Sequence, residues 1–380
     1  MIIEKLSNKT DIKELLKHLD VDSGGIRILH DKSEVHIIHI KGLAVGGANI
    51  LKQDALSVGA DLAVPRGTVV AKTPKVDCLL IATTKHLKAL AKKELAQPFG
   101  LKELAKKLQE ITKEKPQKRR KIMGIINAND DSFFSQSRFS STNAISKIEQ
   151  MIEEGATIID IGGVSSAPNS QAVSPEIELS RVKPICDMIQ ERALYKKVRF
   201  SIDSYEPLVV EYALESGFSI VNDIQGLQSD EVCRLCAEHG ATAIIMHMQG
   251  EPKTMQMSPH YENLLSEVYD FFLERLEKAE QFGIKDIVLD VGIGFGKTVE
   301  HNLSLLKNLE HFESLGRELL IGASRKSMID KIIPTKVEDR LAGTLALHHE
   351  ALRNGANILR VHDVKEHYAL LKIYEALERV

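Results

Sequence analysis

Eight short apolar runs rich in β-branched residues recur between residues 121 and 363: KIMGIIN, TIIDIGG, RFSIDS, SIVNDI, TAIIMHM, DIVLDVG, ELLIGAS and NILRVHD. Helical patterns fill the gaps, such as NAISKIEQMIEEG, PLVVEYALESG and LLSEVYDFFLERLEKAEQFG. A strand that is apolar at nearly every position is covered on both faces, which implies a parallel sheet flanked by helices. Eight strand–helix units in about 260 residues match a (β/α)8 TIM barrel. An open doubly wound sheet fits the alternation too, but the count favours closure.

Each run turns polar where it ends. The first stops at Asn127, the second passes through Asp160 to Gly162 and Gly163, and the third stops at Asp203. The fourth ends at Asn222 and Asp223, the fifth at His247, and the sixth at Asp290. The seventh leads into Ser324, Arg325 and Lys326, and the eighth into Arg360, Val361, His362 and Asp363. In a barrel these ends meet on the face where such enzymes keep their chemistry, so a site is expected there. Asp203, Asn222 and Asp290 offer acceptors and an amide, a set suited to a planar group with adjacent N–H donors. Arg325, Lys326, Arg360 and His362 come from the last two strands, where barrels often hold phosphate. The residues alone therefore predict a polar heterocycle on one side and an anion on the other. The glycines of DVGIGFGK, 290 to 297, read G-x-G-x-G and fit neither the dinucleotide fingerprint nor the phosphate loop.

Residues 111 to 121, ITKEKPQKRRK, form a charged run with one proline and read as a solvated linker. The expected division is a small α/β domain over 1–115, a linker over 116–121 and the barrel over 122–380. In the first part, EVHIIHIKG and DCLLIAT read as strands, and DIKELLKHL, ANILKQDALSVG and GLKELAKKLQEI as helices. His36 and His39 lie on the first strand and read as satisfied or solvent-facing rather than as ligands. Cys233 and Cys236 fall one helical turn apart with no second pair at zinc spacing, and read as packed apolar residues. Four cysteines in 380 residues make no disulfide framework, and a formal net charge of −3 gives no reason to expect nucleic acid. No apolar stretch has the length to cross a bilayer and the N-terminus lacks a signal-like core, so the cytoplasm is the expected compartment.

The same residues carry a resemblance. IMGIINANDDSFF, IIDIGGVSSAPNS, SIDS, IVNDI, IIMHMQGEPKTM, LDVGIGFGKTVEHN, IGASRKS and ILRVHD resemble the segments of the dihydropteroate synthase family and run in its order over 121–380. The resemblance implies a pterin-binding barrel that joins a dihydropterin pyrophosphate to p-aminobenzoate in folate biosynthesis, is a sulfonamide target, and works as a homodimer. It implies that Asp203, Asn222 and Asp290 hold the pterin, that Lys326 reaches the ring, and that Met246 packs on it. Asn127 would reach a magnesium ion on the pyrophosphate oxygens. Arg360 and His362 would bind the leaving pyrophosphate, and Ser324, Arg325 and Phe295 would lie by the aminobenzoate pocket. Ser166 would touch substrate from the second loop. Asp203, Lys326 and Arg360 would be the catalytic residues. An arylamine captures a methylene cation without a strong general base, so no triad is required.

The chain departs from the family in its loops. The first loop has Asn129 and Asp130 where threonine and proline are usual. The second has Ala167 in place of an arginine, for which Arg138 or Lys297 could compensate. Val291 replaces the proline of the sixth strand's D-P-G. Two other outcomes share the barrel: a pterin-binding paralogue without turnover, and a methyltetrahydrofolate methyltransferase, whose members lack the Ser324–Lys326 motif. The first 115 residues are assigned no activity.

Overall fold

The computed structural model describes residues 1–7, 10–113, 119–128, 137–164, 173–250, 255 and 258–379, without the side chains of 137–141. Ser166, Asn129, Asp130, Ala167 and the side chain of Arg138 thus lie outside the described residues. The chain divides into two compact units, Met1–Gln117 and Lys118–Val380.

The first unit is built on a three-stranded antiparallel sheet in the order β1 (Val35–Ala44), β3 (Lys75–Thr83), β2 (Asp61–Ala63). On β3, Val76, Cys78, Leu80 and Ala82 are buried, and the residues between them are exposed or half-buried. That period of two gives one covered and one open face. Helices α1 (Ile12–His18) and α2 (Ser23–Ser33) bury no residue fully. Helices α3 (Val45–Val58), α4 (Thr84–Glu94) and α5 (Leu101–Ile111) supply Leu51, Leu87, Leu90, Leu101 and Leu108 to the core. Sequence patterning did not anticipate α2, α4 or β2. A three-residue strand has no readable period, and α4 is marked by the capping box of Thr83 and His86 instead. His36 is satisfied as expected, its Nε2 lying 2.7 Å from Thr84 Oγ1.

The second unit is a closed barrel of eight parallel strands: β4 (Lys121–Asn127), β5 (Ile158–Gly162), β6 (Arg199–Asp203), β7 (Ile220–Asp223), β8 (Thr242–Met246), β9 (Ile287–Asp290), β10 (Glu318–Ile321) and β11 (Ile358–Val361). The pairing of β11 with β4 closes the ring. The connecting helices are α6 (Ser137–Glu153), α7 (Pro175–Glu191), α8 (Pro207–Glu215), α9 (Asp230–Glu238), α10 (Leu264–Phe282), α11 (Val299–Lys307), α12 (Ser327–Ile332) and α13 (Leu341–Arg353); α14 (Val364–Leu377) follows the last strand. Cys233 and Cys236 are buried free thiols on α9, and burial raises both pKa values, that of Cys236 to about 12. No helix among the described residues is long and apolar enough to cross a membrane.

Strand parity positions everything that follows. Ile159, Ile161, Phe200, Ile202, Val221, Ile245, Leu289, Leu319 and Val361 point outward into the main core shared with the helices. The alternate residues Met123, Ile158, Ile220, Ile244, Val288, Leu320 and Ile358 form a separate cluster inside the barrel. Side chains on one face recur every second residue. One step beyond this apolar layer, Asp160, Asn222, Met246, Asp290 and Arg360 therefore face inward too. Asp223 has the opposite parity and caps its own turn, accepting from Gln225 N at 2.6 Å and Leu227 N at 2.9 Å.

Ser201 shares the inward parity on β6; it is fully buried and its hydroxyl has no partner among the described residues. An unpaired buried hydroxyl costs stability, whereas a methyl group at that site costs nothing in polar desolvation. Ser201→Ala is therefore expected to leave stability unchanged or raise it, while Ile244→Ala should lower it by about 2–5 kcal/mol. Urea denaturation of the two variants checks the contrast.

Candidate functional site

The inward residues above the apolar layer form a charged cluster centred on Arg360. Its Nε donates to Asp160 Oδ2 at 2.6 Å and its Nη2 to Asp203 Oδ2 at 2.6 Å. Asn222 Nδ2 donates to the same Asp160 oxygen at 3.1 Å. Asp160 is fully buried, and its Oδ1 has no partner among the described residues. Burial pushes Asp203 up to about 7; Arg360 opposes the shift and the Asp160 carboxylate adds to it. Burial works against the charge on Arg360, but Asp160 and Asp203 outweigh it and hold the guanidinium above its ordinary pKa. Sequence reasoning placed Arg360 on the anion side. The structure shows its guanidinium binding the two carboxylates inside the barrel. Sequence reasoning did not single out Asp160, because it sits mid-run between isoleucines; its parity with Ile158 is the signal that could have found it.

Asp290 ends β9 and accepts from the backbone N–H of Gly292 at 2.8 Å through Oδ1. Burial raises its pKa, with Gly292, Lys326 and Arg360 acting against the shift. The loop beyond it carries Gly292, Gly294 and Gly296, all at positive φ. This loop brings Phe295 to an apolar group of Ile224, Met246 and Met255, with Tyr205 and Met248 packed alongside. The Lys326 ammonium lies 4.3 Å from the Phe295 ring centroid, and burial lowers its pKa to about 8. Asp203, Asn222, Met246, Asp290, Phe295, Lys326 and Arg360 thus surround one region: carboxylates and an amide, an apolar slab, and two cations.

The ends of β10 and β11 are knitted together. Ser324 Oγ lies 2.9 Å from His362 Nδ1 and accepts from His362 N at 3.2 Å. Burial, with Arg360 nearby, lowers the His362 pKa to about 4, so the ring is neutral near pH 7. Arg325 was expected by a substrate pocket; here it grips protein. Nε and Nη2 bond to Asp363 at 2.9 and 2.6 Å, and Nη1 to the carbonyls of Val337 and Glu338 at 3.1 Å each. Asn127 is exposed at the end of β4. Among the described residues no group of three or more His, Cys, Asp or Glu side chains is arranged to hold a metal ion.

Lys297 does not serve as a spare anion contact. It is 2% exposed, and its Nζ bonds to His247 Nδ1 at 3.0 Å, the His247 carbonyl at 3.2 Å and the Phe295 carbonyl at 2.9 Å. Burial lowers its pKa to about 7, and burial with the nearby Lys297 lowers that of His247 to about 2. The lysine ties the end of β8 to the glycine loop that carries Phe295.

The glycine loop also sets a steric requirement. At Gly292, with φ +67°, a Cβ would lie 1.9 Å from the His247 carbonyl oxygen, whereas at Gly294, with φ +85°, the nearest atom is Lys326 Cδ at 3.4 Å. Gly294→Ala is expected to cost only the left-handed backbone penalty of about 1–2 kcal/mol. Gly292→Ala should cost clearly more, because backbone must move. Thermal unfolding of the pair reads the difference.

With this geometry in view, the comparisons with known proteins are specific. The chain matches the family of pterin binding enzymes over residues 123–362. It is 43% identical over 378 residues to the bifunctional dihydropteroate synthase/dihydropteroate reductase of Helicobacter pylori, covering 100% of this chain and 99% of that one. It is 41% identical to the dihydropteroate synthase of Escherichia coli over 67% of this chain and 90% of the relative. Among solved structures, the dihydropteroate synthase of Clostridium difficile, determined in the presence of pteroic acid, matches with a TM-score of 0.64 and 35% identity over 69% of this chain and 98% of that one. A barrel with this parity, this acid and amide edge and this degree of likeness leaves one conclusion: the chain belongs to the dihydropteroate synthase family of pterin-binding enzymes.

Proposed function

We propose that this chain joins 6-hydroxymethyl-7,8-dihydropterin pyrophosphate to p-aminobenzoate, giving 7,8-dihydropteroate and pyrophosphate, a step of folate biosynthesis. The observation that carries this reading is the division of the barrel mouth. Asp203, Asn222 and Asp290 stand beside the apolar slab of Met246 and Phe295, with Lys326 over the slab. A flat ring with an edge of adjacent N–H donors fits between slab and carboxylates, held by charge-assisted hydrogen bonds of about 1.5–3 kcal/mol each. Arg360 on β11 and His362 just beyond it stand on the side of the barrel where an anionic tail is commonly bound.

In the reaction so assigned, the bond from the pterin methylene carbon to the pyrophosphate oxygen breaks, and its electron pair leaves with pyrophosphate. Asp203 and Asp290 stabilise the positive charge that develops on the pterin methylene. The arylamine nitrogen then forms the C–N bond and loses a proton. Arg360 offers its fork to the leaving anion while Asp160 keeps hold of Nε. Ser324, Arg325 and Phe295 belong to the aminobenzoate side of this proposal, with Ser166. Magnesium also belongs to it: the Asn127 amide offers a neutral oxygen, which suits an ion held mainly by substrate phosphate and water. Bound there, the metal would offset charge on the departing pyrophosphate. A cytoplasmic homodimer completes the proposal, on the strength of the family likeness.

A second activity has one observation in its favour. The Helicobacter pylori relative is named for dihydropteroate reduction as well as synthesis, and it matches the whole chain. The Escherichia coli synthase matches 67% of it, a share that the barrel unit by itself could supply. Supplying dihydropteroate with a reduced nicotinamide or flavin as hydride donor, and assaying for tetrahydropteroate, tests this reading.

The main proposal is tested by pyrophosphate release from dihydropterin pyrophosphate, with and without p-aminobenzoate and magnesium. Release that requires both, with dihydropteroate formed, is expected; tight pterin binding without release would instead mark a non-catalytic pterin binder. Asp203→Asn should weaken pterin binding by about 1.5–3 kcal/mol. Lys326 carries its proton below about pH 8 and loses it above. Pterin affinity is therefore expected to fall as pH rises through about 8, and Lys326→Arg should flatten that fall. Titration calorimetry across the range checks both.

A further inference from the structure

Two buried histidines outside the charged cluster connect the loops that carry its cationic side. His348 on α13 and His367 on α14 are both 0% exposed. The backbone N–H of Ala323, one residue before Ser324, donates to His348 Nε2 at 3.1 Å. His348 Nδ1 lies 2.8 Å from His367 Nε2, and His367 Nδ1 lies 2.6 Å from the carbonyl oxygen of Asp363, one residue after His362. A backbone N–H can only donate and a carbonyl can only accept. The direction of every proton between them is therefore fixed: His348 carries its proton on Nδ1 and gives it to His367 Nε2, and His367 carries its own on Nδ1 and gives it to Asp363. Either ring in the other tautomer would leave two buried donors or two buried acceptors facing each other. Burial lowers both pKa values, consistent with neutral rings.

The same helix makes a second contact one turn away. Thr344 Oγ1 on α13 accepts from Arg325 N at 3.0 Å and bonds to the Arg340 carbonyl at 2.9 Å. Positions 344 and 348 lie on one helix face. From that face α13 satisfies the N–H groups of Ala323 and Arg325, on either side of Ser324, and Arg325 is held at a positive φ of 55°. The relay then continues through α14 to the end of β11. The Ser324–His362 contact and the Arg325–Asp363 fork join the two loops at the rim, and the histidines join them from behind.

We propose that His348 and His367 are positioning residues: a one-way hydrogen-bond relay that holds the end of β11, with Arg360 and His362, at a set distance from the loop after β10 so that it can receive the diphosphate of the substrate. The assignment of the diphosphate rests on the proposed function; the relay itself does not. If the relay acts this way, cutting it loosens the anion side while leaving the pterin edge of Asp203, Asn222 and Asp290 in place.

The test measures binding of inorganic pyrophosphate and of hydroxymethylpterin, which lacks phosphate, to the full chain and to His348→Leu, His367→Leu and the conservative His348→Gln. The leucine variants are expected to lose about tenfold or more in pyrophosphate affinity, with hydroxymethylpterin affinity within about twofold, and His348→Gln to recover part of the loss. Equal losses for both ligands, or none, overturn the proposal. Histidine 15N chemical shifts of the unaltered protein give a second readout that no folding failure can obscure. Both rings should be neutral with the proton on Nδ1, and any other tautomer at His348 or His367 overturns the relay. Arg360→Ala separates the two ideas. If pyrophosphate affinity does not respond to it, the diphosphate assignment fails while the tautomer result still stands or falls alone.

Discussion

The barrel mouth depends on one guanidinium. Arg360 rises from β11 across the inside of the barrel and is shared by Asp160 and Asp203, two carboxylates from neighbouring strands. Leaving either acid buried without that partner would cost several kcal/mol, since removing one member of a buried ion pair strands the other. With it, two carboxyl groups are held side by side inside the barrel. Burial pushes the Asp203 carboxyl up to about 7 even with Arg360 beside it.

Around this pair the loops at the barrel mouth are held in place by side chains bonded to neighbouring backbone and side chains. Lys297 ties the β8 end to the glycine loop, and Asp290 caps that loop through Gly292. Arg325 spends four hydrogen bonds on its own neighbourhood, and Thr344 satisfies its backbone N–H. A buried lysine with three hydrogen-bond partners rigidifies what it joins. Of the departures from the family, Val291 falls inside the knitted glycine loop, whereas Asn129, Asp130 and Ala167 are distant from it in sequence.

Much of the fold was legible. Eight apolar runs with helical spacers specify a parallel sheet because no other arrangement covers both faces of every strand, and the polar switch at each strand end pointed to one end of the barrel. Asp203, Asn222, Asp290, Lys326 and Arg360 could be named from their places at the strand ends, whereas Met246 and Phe295 came only with the family resemblance. Less was legible in the first unit: the three-residue strand is too short to show a period, α2 buries no residue fully, and α4, which buries Leu87, Leu90 and Ala91 at helical spacing, was missed.

The sequence by itself determined which residues stand at strand ends and which faces are apolar, since both follow from local periodicity and chain order. Only the tertiary structure decided partners. Asp160 and Arg360 are 200 residues apart, and His348 meets His367 through the packing of two helices. Lys297, named from the sequence as a possible stand-in for the arginine absent at Ala167, is a buried staple, and Arg325 is a clamp on Asp363. A pattern along the chain reports the environment that a residue prefers. The group that satisfies a buried charge is set by the closure of the barrel, which places distant carboxylates, amides and carbonyls within hydrogen-bond reach.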